Sequence, residues 1–240
     1  MDENSLEYKI HDLLVGYYHL YLRREITNDL AKFVEMMLEY NEKHNLTAIT
    51  KVDEVLLKHL LDSLLPLPLL KDTDKIIDIG CGAGFPSIPL AIVNRNLQIT
   101  ALDSVQKKTN FVEMVKKELK LDNLRVVNAR IEDFARDPNE RQTYDVAVSR
   151  AVAPLNIITE YSAPMLKNGG YIMAYKGMAY LEELQMAERA FRLLDCKLKD
   201  VTGFYIYELE TNRYVLRITK NSNIIDKYPR KQNKPRIKPL

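Results

Sequence analysis

The sequence is poor in the features that mark secreted, membrane or metal-binding proteins. Its two cysteines, Cys81 and Cys196, lie far apart and form no CxxC pair. This usage argues against a disulfide framework or a metal site and fits a reducing cytosol. The longest apolar run, residues 64–70, contains two prolines and is far too short to span a bilayer. The first ten residues carry three acids and no apolar run, so we expect no secretory signal and a cytoplasmic protein without membrane association.

The length and the composition indicate one soluble globular domain. With 240 residues the chain can bury a sizeable core, and its 46% hydrophobic and 28% charged residues are ordinary for such a domain. We divide this single domain into an N-terminal helical extension over residues 1–70, a core over 71–220 and a basic tail over 221–240. No sequence feature indicates an obligate protein partner, so we expect a monomer.

The charge is unevenly distributed. The formal net charge is +2, but residues 221–240 carry six basic residues against one acid and therefore sum to +5. The rest of the chain is slightly acidic. A basic, proline-bearing tail on such a body favours a polyanionic partner. The alternative is a solvated, disordered end whose charges bind nothing.

Strand-like and helical segments alternate along the core. Short apolar runs predict parallel strands over residues 75–79, 97–102, 124–128, 144–149 and 171–175. Helical periodicity separates them, most clearly over 106–119, and this alternation predicts βαβ units with helices on both faces. Runs at 202–209 and 213–219 predict a closing antiparallel hairpin, and therefore a mostly parallel seven-stranded α/β sheet. Residues 1–70 favour helices, one of them with Asp53 as N-cap.

Three alternate glycines follow the first predicted strand. Gly80, Gly82 and Gly84 permit a tight turn and the close approach of a ligand. A dinucleotide-binding turn would have glycine where Phe85 stands, and there is no GK[ST] phosphate loop. This disfavours a nicotinamide oxidoreductase and favours a cofactor with adenosine but no phosphate, such as S-adenosylmethionine. The alternative is a tight turn without a ligand.

Polar residues follow the other predicted strands. Asp103 lies 23 residues after Gly80, the spacing of an acid that accepts hydrogen bonds from ribose hydroxyls, although it could instead cap the next helix. After the third strand, Ile131 and Glu132 could contact the adenine ring of the cofactor. Arg150 ends the fourth strand, with a salt bridge to an acid such as Glu132 as its alternative role. Lys176 closes the fifth strand. All of these ends should meet in one crevice.

Seven segments of the chain form a distinctive set. They are NLTAI (45–49), KHLLDSL (58–64), DIGCGAGFPSIPLAI (78–92), LDSVQKKTNF (102–111), VSRAVAPL (148–155), YKG (175–177) and the closing YPRK…KP…KPL. Together they resemble one family, the bacterial 16S ribosomal RNA methyltransferase G family, also called the glucose-inhibited division protein B family. The resemblance runs from about residue 6 to residue 240, with the motifs in the family's order. The glycine turn is shared with many methyltransferases, whereas NLTAI, SRAVAPL and the basic tail are more specific.

The resemblance implies a Rossmann-like class I fold and methylation of guanine N7 in 16S ribosomal RNA of the small ribosomal subunit, with S-adenosylmethionine as donor. The positions that match the family's cofactor-binding residues are Gly80, Phe85, Ile131, Glu132 and Arg150, and Asp103 matches the ribose-binding acid of the wider superfamily. As RNA-binding residues we expect Asn45, Lys176, Arg230 and Lys231, the last two on an extended tail. The competing interpretation is that Tyr228 and Pro229 fold back on the body.

Guanine N7 carries a lone pair and no proton, so its methylation needs alignment and favourable electrostatics but no general base. We therefore name no catalytic residue. The histidines, His11, His19, His44 and His59, are scattered, and we expect His59 to pack or to face RNA. The alternatives are a methyltransferase acting on another RNA or a small molecule, and a non-catalytic RNA-binding module.

Overall fold

The computed structural model describes residues 5–18 and 22–240, so His19 lies outside the described residues. The strands are β1 (Lys75–Ile79), β2 (Gln98–Asp103), β3 (Leu124–Asn128), β4 (Tyr144–Arg150), β5 (Leu166–Lys176), β6 (Cys196–Ile206) and β7 (Thr211–Lys220). The helices are α1 (Leu6–Tyr18), α2 (Arg24–His44), α3 (Val52–Val55), a π-helical segment (Leu56–Leu61), α4 (Asp62–Leu64), α5 (Ser87–Val93), α6 (Gln106–Glu118), α7 (Ile131–Phe134), α8 (Leu155–Ser162), α9 (Tyr180–Leu193) and α10 (Lys234–Ile237).

The seven strands form one sheet in the order β3-β2-β1-β4-β5-β7-β6. The first five are parallel, and β7 pairs antiparallel with both β5 and β6. The predicted mostly parallel seven-stranded sheet with a closing hairpin is therefore confirmed. The hairpin reverses earlier than expected, at a 3-10 turn over Tyr207–Leu209 followed by Glu210 with φ 45°, and β7 already begins at Thr211.

The central strands are apolar throughout because helices cover both faces of the sheet. In β1, Ile76 packs into the core cluster that contains residues of α1, α2, α5 and α6. Its neighbour Ile77 points to the opposite face and packs with residues of α8 and α9. Successive strand side chains alternate between faces, so one short strand contributes to two cores.

The N-terminal helices pack directly on the α/β core. Phe33 of α2 is fully buried, and its ring centroid lies 4.8 Å from that of Phe85, just after the glycine turn. Helix α2 ends at His44, and the next residue, Asn45, caps it with a left-handed φ of 47° and an N–H bond to the Asn41 carbonyl. The division into extension, core and tail stays a prediction.

The predicted N-cap at Asp53 is wrong. Lys51 occupies the cap position with extended backbone angles, and the helix begins at Val52. The Asp53 carboxylate instead lies 3.1 Å from the Lys9 ammonium on α1, with 77% of its side chain exposed. The Asp53 side chain, which an N-cap would need, therefore forms an ion pair with a lysine of α1 instead.

The predicted extended tail is also wrong, because the tail folds back onto the body. Tyr228 is 5% exposed and packs into the core cluster that includes residues of α8 and α9. The Arg141 guanidinium donates to the carbonyls of Tyr228 (2.9 Å) and Ile224 (2.7 Å). Arg136 donates to the Pro229 carbonyl at 2.6 Å. Two arginines of the body thus hold the tail backbone.

Arg230, expected on the extended tail, is inserted against α8. Its Nε and Nη2 donate to the two oxygens of Glu160 at 2.8 and 2.7 Å, and its backbone N–H donates to Glu160 Oε1 at 2.8 Å. Glu160 is fully buried, and a buried carboxylate requires a paired cation and hydrogen bonds. That requirement explains why the arginine leaves solvent, whereas its neighbour Lys231 stays exposed.

No helix within 5–18 and 22–240 has the length and apolar character needed to cross a membrane. The same part of the chain has no cluster of three or more His, Cys, Asp or Glu residues suited to a metal ion. Cys81 and Cys196 are both buried free thiols.

Candidate active site

The carboxyl ends of β1, β4 and β5 open into one cavity of about 730 Å³. Strand order reverses between β1 and β4, and such switch points are where open α/β sheets bind ligands. The lining includes five of the predicted site residues together with residues of the N-terminal helices and of β7. The predicted residues in the lining are Gly80, Gly82, Phe85, Arg150 and Lys176.

The glycine turn forms one wall of this cavity. The N–H groups of Gly80 and Cys81 both donate to the Leu102 carbonyl, at 2.8 and 3.0 Å, which ties the turn to β2. Gly82 has φ +57°, and a Cβ there would have no described atom closer than 4.0 Å, so its backbone is open to a ligand. Gly84 has φ +89°, and a Cβ there would clash with the Ile88 side chain on α5. It permits the close packing of the turn against this helix and is absent from the cavity lining, so its contact with the cofactor stays a prediction.

Asp103, at the end of β2, is buried behind the glycine turn. Its Oδ2 accepts the Gly82 N–H at 3.0 Å, and its Oδ1 accepts the Val105 N–H at 2.8 Å just before α6. The alternative role as N-cap is not adopted, because Val105 is the N-cap of α6 and no side-chain cap hydrogen bond is present; the Asp103 bond to the Val105 N–H closes a local turn and uses one oxygen only. Each carboxylate oxygen can accept a second hydrogen bond. Asp103 can therefore also accept ribose hydroxyls beside the open backbone of Gly82.

The loop after β3 is attached to Asp103 but does not reach the cavity wall. Asn128 Nδ2 and the Ala129 N–H donate to the Asp103 carbonyl at 3.0 and 3.2 Å. Ile131 and Glu132 then form the first turn of α7, where Ile131 is half-buried and Glu132 is 8% exposed. Neither lines the cavity. Their contact with adenine stays a prediction.

We expect replacement of Asp103 by alanine to weaken S-adenosylmethionine binding at least about tenfold. Each charge-assisted hydrogen bond to ribose contributes roughly 1.5–3 kcal/mol, and 1.4 kcal/mol corresponds to a factor of ten. Titration calorimetry measures the change, with Asp103→Asn as the variant that keeps one acceptor oxygen and should lose less. An unchanged dissociation constant, with native circular dichroism, would limit Asp103 to its backbone contacts at Gly82 and Val105.

Arg150 closes the opposite side of the cavity through contacts with the KHLLDSL segment. Its Nη1 donates to Asp62 Oδ2 at 3.1 Å and to the Lys58 carbonyl at 3.0 Å. Its guanidinium carbon lies 5.4 Å from the Phe85 ring centroid. The acid that pairs with Arg150 is therefore Asp62 and not Glu132. Arg213 approaches the other oxygen of Asp62 at 3.3 Å, so one carboxylate joins two arginines.

His59 lies between these groups as a neutral ring. It stacks on Phe85 with 4.9 Å between ring centroids, and its Nδ1 lies 3.2 Å from Arg150 Nη2. Its Nε2 lies 3.0 Å from the Thr47 hydroxyl. Burial, and then the Arg150 charge, lower the pKa of His59 from 6.5 to about 4. The ring thus packs between Phe85 and two polar partners without a charge at neutral pH.

This low pKa makes His59 a source of acid instability. The unfolded histidine takes up a proton near pH 6.5 and the folded one near pH 4, so its contribution to stability is complete above 6.5 and is lost as the pH falls towards 4. We expect the stability difference between the parent and His59→Gln to fall by roughly 3 kcal/mol from pH 7 to pH 4. Urea unfolding of both proteins measures it. Parallel pH profiles would contradict the buried neutral ring.

Lys176 and Asn45, both expected to contact RNA, lie in different settings. Lys176 lines the cavity, and its ammonium pairs with Glu183 at 2.6 Å and donates to the Ala153 carbonyl at 2.9 Å. Asn45 is exposed at the end of α2 and is not part of the lining. The residues of NLTAI that line the cavity are Leu46 and Thr47.

Five charged lining residues had no functional role in the sequence prediction, namely Lys58, Asp62, Lys108, Glu183 and Arg213. Asp62 could have been found, because it follows His59 by three residues and such residues share a helix face. Glu183 comes from α9 and Arg213 from β7, and nothing in their local sequence distinguishes them from ordinary surface charges. Only the packing of these elements brings them to the crevice.

Comparison with known proteins identifies the family. Residues 26–210 match the family GidB, described as rRNA small subunit methyltransferase G. The chain belongs to this family. Proteins named ribosomal RNA small subunit methyltransferase G share 43% identity over 208 residues in Desulfitobacterium hafniense and 38% over 230 residues in Streptococcus pneumoniae. These alignments cover 87% of both proteins in the first case, and 95% of this chain and 97% of the relative in the second.

Solved structures agree with the fold. An O-methyltransferase from Bacillus cereus in complex with SAH superposes with a TM-score of 0.57 at 14% identity, covering 88% of this chain and 97% of that one. P. horikoshii TYW2 in complex with MeSAdo gives 0.55 at 14% identity, covering 68% and 63%. At this identity the likeness concerns the fold alone. The family and the Rossmann-like class I fold implied by the sequence resemblance are thus confirmed, and the individual site residues stay predictions.

Proposed function

We propose that this member of the family transfers the methyl group of S-adenosylmethionine to N7 of a guanine in 16S ribosomal RNA. The observation that carries the proposal is the cavity at the switch point, which joins the glycine wall to a polar wall containing Arg150 and Lys176. The names of the relatives support ribosomal RNA of the small subunit as the substrate. The cytoplasm, where ribosomal subunits are assembled, is the compartment we infer.

The residues of the glycine wall fit S-adenosylmethionine. The open backbone at Gly82 gives room for a ligand, and the buried carboxylate of Asp103 lies directly behind it. The turn lacks the features of a pyrophosphate site, in keeping with a cofactor that has no phosphate. Solved proteins of this fold hold SAH and MeSAdo. Gly80, Gly82, Phe85 and Asp103 are the residues we assign to the donor, which supplies an electrophilic methyl group when bound.

The protein's task is to position the acceptor. Guanine N7 has no proton to lose, so no residue has to act as a general base. His59, whose pKa is lowered to about 4, is a weak base and is not required for the chemistry. Arg150 and Phe85 are fixed by contacts to Asp62 and His59, which makes this side of the cavity rigid. A rigid wall supports the alignment from which much of such a rate acceleration comes.

The folded tail offers a surface for RNA next to this cavity. Arg236 Nη2 donates to the Val152 carbonyl at 3.3 Å, and Val152 lines the cavity. The neighbouring Lys231, Lys234 and Lys238 are exposed. These three lysines, named here the tail lysines, are the residues we propose for phosphate contacts. Arg230 is no longer among them because Glu160 holds its charge.

Incubation with labelled S-adenosylmethionine and under-methylated small-subunit RNA tests the proposal, followed by mapping of the modified base. We expect a single 7-methylguanine. Label on an exocyclic amine, a ribose or a different RNA would contradict the assignment, as would binding of both ligands without transfer. Small-molecule extracts incubated in parallel serve as the control and should stay unlabelled.

A further inference from the structure

Lys176 and Glu183 form an ion pair on the cavity wall at the end of β5. The Lys176 ammonium contacts Glu183 Oε2 and the Ala153 carbonyl, which leaves its third N–H available. Within the described part of the chain, the hydrogen bonds of the Glu183 carboxylate all fall on Oε2, which also accepts the Leu155 N–H at 2.9 Å. Both side chains line the cavity. The pair therefore presents one donor and one acceptor oxygen side by side.

The pair lies on the side of the cavity away from the proposed donor site. In the sheet order, β2 and β3 lie beyond β1 on one side, whereas β5 lies beyond β4 on the other. Gly82 and Asp103 belong to the first side and Lys176 to the second. A guanine that receives a methyl group between these two sides must turn N7 towards the glycine wall. Its Watson–Crick edge is then turned away from that wall, towards β5 and α9.

We propose that Lys176 and Glu183 select guanine by reading its Watson–Crick edge, an inference that rests on the proposed function. Guanine presents the acceptor O6 beside two donors, the N1–H and the N2 amino group. Lys176 donates to O6, and the free oxygen of Glu183 accepts from N1–H and N2. N7 stays free for methylation. Adenine has an amino group at position 6 and an acceptor at N1, so it would place donor against donor and acceptor against acceptor.

The competing account makes the pair purely structural. Through Glu183 Oε2 it joins α9 to β5 and to the first residue of α8, so it could exist only to hold these elements together. That account predicts effects on folding and on all substrates alike. Recognition of the base predicts effects that depend on which groups the base carries.

Substrate analogues test the proposal on the unmodified protein. RNA fragments carry guanosine, inosine or 2,6-diaminopurine at the mapped target, and N7 methylation is followed under single-turnover conditions. Inosine lacks the N2 amino group, and we expect its rate constant at subsaturating protein to fall roughly tenfold or more. 2,6-Diaminopurine replaces O6 by an amino donor that opposes Lys176, and it should fall at least as far. Equal rates for all three bases would overturn the proposal.

A variant separates recognition from structure. Glu183→Gln keeps an oxygen for the Leu155 N–H but turns an amide donor towards the base, so we expect it to lose most of the preference for guanosine over inosine. Glu182→Gln, on the exposed neighbouring residue, is the matched control and should keep the parent preference. An unchanged preference in Glu183→Gln would also overturn the proposal. If the parent methylates no guanine N7 at all, the proposed function fails instead.

Discussion

Replacing Arg230 with methionine should destabilise the protein by about 3–5 kcal/mol. The substitution leaves the carboxylate of Glu160 fully buried without its cation, and breaking a buried ion pair from one side has a cost of this size. It also removes two of the hydrogen bonds that hold the tail against α8. Urea unfolding followed by circular dichroism measures the free energy of unfolding.

Two further variants make this expectation specific. Lys231→Ala changes the adjacent exposed cation and should alter the free energy of unfolding by no more than about 0.5 kcal/mol. Glu160→Gln combined with Arg230→Met removes both charges and keeps an acceptor for the Arg230 backbone N–H, so it should recover most of the loss. Equal stabilities of Arg230→Met and the parent would show that the tail is not held by this pair.

Replacing all three tail lysines with alanine should weaken RNA binding by on the order of tenfold to a hundredfold at low salt. Each phosphate contact to a single strand contributes about 0.7 to the slope of log affinity against log salt concentration. Loss of three contacts should therefore reduce that slope by about 2 units. Fluorescence anisotropy with small-subunit RNA fragments at several salt concentrations measures both quantities. Affinity for S-adenosylmethionine should stay unchanged.

A matched triple variant controls for net charge. The three control residues, Lys120, Lys197 and Lys199, are exposed. They lie near the starts of β3 and β6, at the end of the strands opposite to the cavity. Their replacement by alanine removes the same charge and should leave most of the RNA affinity and the salt slope intact. If both triple variants weaken binding equally, the tail lysines contribute only to the overall field and form no docking surface.

The parts of the fold that the sequence predicted well have local causes. Residues 75–79 were predicted as a strand and form β1. The signal is local, because an apolar run followed by glycines can be recognised within ten residues of sequence. The start of β5 was missed, since Lys167-Asn168-Gly169 resembles a turn. Leu166 nevertheless pairs with Tyr144, and the regular register resumes where Tyr171 pairs with Val146. Residues 167–170 therefore form an irregularity within β5, and the strand extends past them because Leu166 pairs with β4.

The site was likewise predicted correctly where topology decides it, and it was missed where contacts between distant residues decide it. Parallel topology was enough to bring Gly80, Arg150 and Lys176 to one cavity. The tail conformation was missed because it depends on Glu160, seventy residues from Arg230, whose burial has no local signal. A run of cations in the sequence predicts solvent-exposed side chains. Only the folded structure shows that one of them, Arg230, has a buried partner.

RNA with 7-deazaguanosine at the mapped target tests whether guanine N7 is the atom that receives the methyl group. This analogue has carbon in place of N7 and keeps the Watson–Crick edge unchanged. Single-turnover transfer from labelled S-adenosylmethionine is measured beside RNA binding. We expect unchanged binding and no label in the analogue RNA, with full label in the guanosine RNA. Label in both RNAs at similar rates would contradict it.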